Sequence, residues 1–80
     1  MDYIKKKNYI KTANVWRKQN PEHADSGVVL IWNDEVYGWK NSLRDPQDEQ
    51  PGAIAVDIVG GVFVAEGGNC DDGANAWRLG

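Results

Sequence analysis

The densest collection of chemistry-bearing residues in the chain is GGNCDDGANAW, residues 67–77. It sets Asn69, Cys70, Asp71 and Asp72 between Gly68 and Gly73. Such a stretch could hold calcium, cradle a phosphate or turn the chain. An EF-hand calcium loop needs oxygen ligands at its first, third and fifth positions with glycine sixth. Setting Gly73 sixth puts Asp72 fifth, but Cys70 third and Gly68 first, and no glutamate closes the loop. The match fails. A phosphate cradle opens a helix with backbone N–H groups, usually beside a lysine. Asp71 and Asp72 repel phosphate, and no lysine lies nearby. Turn chemistry remains. Gly67-Gly68 release a strand, and Asn69, Asp71 or Asp72 accept backbone N–H bonds at the start of a short terminal helix.

Other candidates for catalysis are sparse. Cys70 is the only cysteine and His23 the only histidine, so no internal disulfide and no cysteine-based zinc site can form. A Cys70 nucleophile with His23 as base forms no recognisable motif. His23 lies in a polar connector and reads as a surface residue. The pairs Asp48-Glu49 and Asp71-Asp72 could do acid–base work, but adjacent loop residues usually point apart. The expectation is a protein that is not an enzyme and carries no cofactor or metal.

Charge is more informative. The formal net charge of the 80 residues is −3, unevenly placed. Residues 1–18 carry Lys5, Lys6, Lys7, Lys11, Arg17 and Lys18 against Asp2 alone. Between Asp45 and Trp77 there are acids and no Lys or Arg. Such asymmetry belongs to an internally complementary molecule, or to an acidic face meant for a basic partner. The lysines could meet phosphates. The rest of the chain is acidic and matches no common DNA-binding motif, so a solvated helix face is the better reading and no direct nucleic-acid contact is expected.

The elements that position these residues follow from periodicity. Residues 1–80 read as one domain. Residues 3–19 form a helix with Tyr9, Ala13 and Trp16 on one stripe and Ile10 beside it. Asn20-Pro21 ends it. Residues 27–39 form a hairpin through Asn33-Asp34, two residues that tolerate the positive φ of a tight turn. A simple two-residue turn puts Val29, Ile31, Val36 and Gly38 on one face, and Val28, Leu30, Trp32, Tyr37 and Trp39 on the other. Residues 40–52 are a long polar loop, a kind of segment that often carries function. Residues 53–66 form a second hairpin through Gly60-Gly61, with Ile54, Val56, Ile58 and Phe63 inward, and Asp57 and Glu66 on the wetter face. Residues 67–80 are the Gly/Asp turn and a short helix. The expected fold is α+β: an N-terminal helix packed on a four-stranded antiparallel sheet made of two hairpins, with a short C-terminal helix. The longest apolar run, VVLIW, is far too short to span a membrane, and no signal-peptide pattern opens the chain. A soluble cytoplasmic protein is the expectation.

The phrases WRKQNPEH (16–23), GVVLIWNDEVYGWKNSLRDP (27–46), QPGAIAVD (50–57) and VFVAEGGNCDDGANAW (62–77) together resemble the antirestriction protein ArdR family, small proteins of plasmids and integrative elements. The resemblance covers roughly residues 16–77 and leaves out the lysine-rich start. It implies a non-enzymatic protein of mobile DNA that interferes with host restriction, and it implies no catalytic residues. The expected partner is a host protein, such as a restriction or other DNA-binding protein; a homodimer is compatible with this reading. The candidate binding residues are Tyr37, Trp39, Asp45, Asp48, Glu49, Asp71 and Asp72. Two alternatives belong to other classes. One is a small-ligand module built on the aromatic hairpin face and the long loop. The other, more remote, is a small hydrolase using Cys70 or the carboxylates.

Overall fold

The computed structural model describes residues 1–80. Its elements are helix α1 (Tyr3–Gln19) and strands β1 (Val28–Trp32), β2 (Glu35–Lys40), β3 (Ile54–Val56), β4 (Val62–Glu66) and β5 (Ala76–Leu79), with 3-10 turns at Pro21–His23 and Pro46–Asp48. The sheet is antiparallel throughout, in the order β2-β1-β3-β4-β5. The class is α+β, with the helix laid on an antiparallel sheet. The sheet, however, has a fifth strand where a terminal helix was expected.

Local signals account for the helix. The Asp2 carboxylate accepts the Lys5 N–H at 2.8 Å, satisfying one of the donors that a helix start leaves free. At the other end Asn20 leaves the helical region before Pro21, and its side chain caps the Trp16 carbonyl at 2.9 Å. Ala13 is buried, and Tyr9, Ile10 and Trp16 pack beside it against Val29, Ile31, Ile54, Val56 and Val62. This is the main core.

The first hairpin turns through Asn33 and Asp34 at φ of 51° and 65°, as a tight two-residue turn requires. Its register then departs from the simple pattern. Ile31 pairs with Val36, but Leu30 pairs with Gly38, leaving Tyr37 as an extra residue in a β-bulge. The bulge shifts everything beyond it by one position. Trp39 pairs with Val29 and joins the helix-side core, rather than the face shared by Trp32 and Tyr37.

The second hairpin also differs from expectation. Val62 and Val64 pair with Val56 and Ile54 and face the helix, so Phe63 faces away, opposite Ala55. The turn is longer than Gly60-Gly61. Asp57 leaves the strand and organises it, its Oδ1 accepting the N–H groups of Val59 at 3.0 Å and Gly61 at 2.7 Å. Ile58 is thereby carried out of the core and exposed.

The C-terminal segment is strand β5, which pairs with β4 from Phe63↔Leu79 to Glu66↔Ala76. Without it β4 would be an edge of apolar residues with unpaired backbone, whereas a two-turn helix would have little surface to bury. An ion pair between Arg78 Nε and Glu66 Oε2 at 2.6 Å accompanies the pairing.

Both faces of β1 and β3 are covered, which explains why VVLI and IAV are continuously apolar. The helix covers one face. On the other, Val28, Leu30 and Ala55 are packed by Leu43, Phe63 and Trp77, and Ala53, Ala65 and Ala74 cluster beneath Trp77. Residues 41–52 and 67–75, the two acidic loops, thus serve as the second layer.

Candidate functional site

The bulge at Tyr37 has a consequence on the loop side of the sheet. It sets the Tyr37 ring beside Trp32 on the rim of a cavity of about 360 Å³, lined by Trp32, Tyr37, Asp48, Glu49, Gln50 and Ala53. Trp32 is 37% exposed and Tyr37 48% exposed, high for aromatic side chains of a small domain. The walls are held in place. Tyr37 donates its hydroxyl to Glu49 Oε1 at 2.6 Å, and Lys40 Nζ meets Glu49 Oε2 at 2.6 Å. The Trp32 ring packs close over Gly52, where an added Cβ would stand 3.3 Å from it.

Glu49 is the anchor of this arrangement. It is 6% exposed, and both carboxylate oxygens have partners. Its backbone carbonyl accepts the Ala74 N–H at 2.9 Å, tying the two acidic loops together. Burial pushes the Tyr37 hydroxyl well above the ordinary tyrosine range, and the adjoining Glu49 carboxylate, as hydrogen-bond acceptor and as charge, pushes it further. Tyr37 therefore keeps its proton, and Glu49 acts as a buttress. Asp48 is different. Its side chain is 62% exposed and stands 3.5 Å from Lys40 Nζ, so it faces solvent at the mouth of the cavity.

The other candidate residues are dispersed around this centre. Asp45, at a left-handed φ of 51°, pairs with Arg44 at 2.9 Å. Asp71 and Asp72 lie in a tight turn: Asn69 Oδ1 accepts both of their N–H groups, at 2.9 and 2.8 Å. The capping role expected of this segment is real, but it closes a hairpin loop instead of opening a helix. The turn abuts the 3-10 turn at Pro46–Asp48. A Cβ on Gly73 would collide with the Gln47 carbonyl, so only glycine fits there.

Trp39 is separate from the cavity. Its ring stacks on His23 with centroids 3.9 Å apart, and Trp16 also stacks with His23, centroids 5.8 Å apart. Trp39 Nε1 also donates to the Ser26 carbonyl at 3.0 Å. His23 is therefore a half-buried member of an aromatic cluster with Trp16 and Trp39, contrary to its reading as a surface residue, and its Nδ1 has no hydrogen-bond partner. Cys70 is exposed in the turn on the loop side.

Two residues have roles that sequence reasoning missed. Arg17 was counted with the basic helix face, yet it is 6% exposed. Its guanidinium donates to the carbonyls of His23 (2.6 Å), Ser26 (2.8 Å), Gly27 (2.9 Å) and Val56 (3.2 Å). Desolvation lowers its proton affinity, partly offset by Asp57 and Asp25. Arg17 sits one residue beyond Trp16, on the flank of the apolar stripe, which is the only hint available. The bulge at Tyr37 had a clearer signal: Gly38, an isolated glycine in a strand pattern.

No group of three or more His, Cys, Asp or Glu side chains is placed to hold a metal ion. No helix is long and apolar enough to cross a membrane. No family model, curated protein or solved structure matches the chain.

Proposed function

We propose that this is a non-catalytic docking protein whose acidic loop face engages a basic surface of another protein. The observation that carries the reading is the segregation of charge across the sheet. The helix side holds Lys5, Lys6, Lys7, Lys11 and Lys18. The two loops of the opposite layer hold Asp45, Asp48, Glu49, Asp71 and Asp72 against Arg44, which pairs with Asp45, and Lys40 at the end of β2, which pairs with the buried Glu49. Asp48, Asp71 and Asp72 are the exposed acids left over. Complementary fields of this kind steer association and suppress wrong partners. The resemblance to the antirestriction family indicates the class of partner, a restriction or other DNA-handling protein of the host, whose DNA-binding surface must be basic. The charge is too low for wholesale imitation of a duplex, so docking on a local patch is favoured.

The test is a restriction assay in cells. Expression should raise the transformation efficiency of unmodified plasmid in a restricting host. Reversal of Asp48, Asp71 and Asp72 to lysine should abolish the gain while the protein stays folded. An unchanged restriction level with the native protein, together with no salt-sensitive binding to the purified enzyme, would reject this function.

The cavity beside Trp32 favours a second reading, a small-ligand module. Titration of the free protein with a metabolite mixture separates the two: saturable binding of a neutral metabolite supports the module.

A further inference from the structure

The Trp32–Tyr37 cavity carries a more specific inference, which rests on the docking reading above. We propose that it receives a single arginine side chain from the basic partner. Three features of the cavity specify that occupant.

The first is its walls. Two exposed aromatic side chains flank a space of about 360 Å³, wide enough for one side chain and too small for a folded element. Aromatic faces attract cations, and the indole does so most strongly. Tyr37 presents a neutral ring, because its proton is committed to Glu49.

The second is charge. Around the cavity stand Asp48 and Glu49 against Lys40. Lys40 is spent on Glu49, at 2.6 Å, and is 3.5 Å from Asp48. One negative charge is left over, at the Asp48 carboxylate on the mouth. An incoming monocation would bring the site to neutrality, whereas an anion would meet uncompensated repulsion.

The third is rigidity. The bulge aims Tyr37, the Tyr37–Glu49–Lys40 chain fixes it, and Gly52 supports Trp32. Preformed walls spare an entering side chain the cost of ordering them. A planar guanidinium can lie against an aromatic face and bond Asp48 through its fork at once, which a point-like ammonium cannot.

The test is titration of N-acetyl-arginine amide into isotopically labelled protein, following the Trp32 indole N–H by NMR. A saturable shift centred on Trp32 and Tyr37 is expected. Asp48→Asn, followed at the Trp32 indole, and Trp32→Ala, followed at the Tyr37 amide on the same cavity, should each weaken it about fivefold or more. Thermal melting of both variants establishes that they are folded; Asp48→Asn keeps the shape of an exposed side chain and serves if Trp32→Ala does not fold. The neutral analogue N-acetyl-citrulline amide should bind weakly. Equal binding by citrulline overturns the cation assignment, and equal binding by N-acetyl-lysine amide overturns the guanidinium assignment. An arginine-rich peptide is run in parallel. If its binding survives Trp32→Ala and Asp48→Asn but falls with Asp71→Asn and Asp72→Asn, the cavity is not the site and the docking function stands. If capped arginine binds at Trp32 but no basic peptide does, the cavity is confirmed and the docking function fails.

Discussion

The imidazole of His23 lies on the indole of Trp39, ring centroids 3.9 Å apart and planes inclined by 23°. The contact locks the connector after α1 onto β2. Trp39 also covers Gly27, where any Cβ would strike the indole. Trp39→Ala should therefore act on stability: a loss of about 3 kcal/mol is expected for an aromatic truncation of this kind. In a domain of this size that lowers the melting midpoint by more than about 10 °C. An unchanged midpoint with lost partner binding would return Trp39 to the interface.

Arg17 joins the helix to the connector and to β3 through four backbone carbonyls. Arg17→Met keeps much of the stem but strands those acceptors. A cost of about 3 kcal/mol is expected, since unmade bonds to a buried group lose the full desolvation penalty. Arg17→Lys should fall between the two, because one ammonium cannot reach all four carbonyls. Denaturant unfolding of the three proteins gives the order; a lysine variant as stable as wild type would contradict it.

The raised proton affinity of Tyr37 predicts an alkaline weakness. The folded state holds this proton more tightly than the unfolded state, whose value is about 10. The stability it contributes is complete below about pH 10 and is lost as pH rises toward the folded-state value. Ultraviolet titration should show Tyr37 resisting ionisation until the fold is lost. Tyr37→Phe should cost about 1 kcal/mol at neutral pH, the low end for a half-exposed bond to a carboxylate, and flatten the alkaline decline.

Gly73 stands at φ of +82° with its α-carbon against the Gln47 carbonyl. Gly73→Ala meets both the left-handed strain and the collision. A loss of about 2 kcal/mol or more is expected, concentrated in the two acidic loops. Hydrogen exchange gives the local readout: the Ala74 amide, bonded to the Glu49 carbonyl at 2.9 Å, should exchange faster in the variant, while amides of β1 and β3 keep their protection.

What could be read along the chain was whatever neighbouring residues decide among themselves. The helix ends where Asn20-Pro21 says it must, and Asn33-Asp34 makes its tight turn because those side chains tolerate positive φ. The candidate residues Tyr37, Asp48 and Glu49 do converge on one cavity. Glu49, though, is a buried buttress, and Asp45 is occupied by Arg44.

The sequence alone determined the helix, the two central apolar strands, the tight first turn and the uneven charge, since each depends on dihedral preference or local composition. Tertiary structure decided the rest. The bulge that divides Tyr37 from Trp39 exists because both faces of the hairpin have to be filled at once, by a helix on one side and loops on the other. ANAWRLG became a strand because β4 offered an open ladder, and a hydrogen-bonded edge outweighs the weak helical preference of seven residues. Arg17 went inside because four carbonyls from distant segments meet there. No local pattern reports where carbonyls 6 to 39 residues away will point.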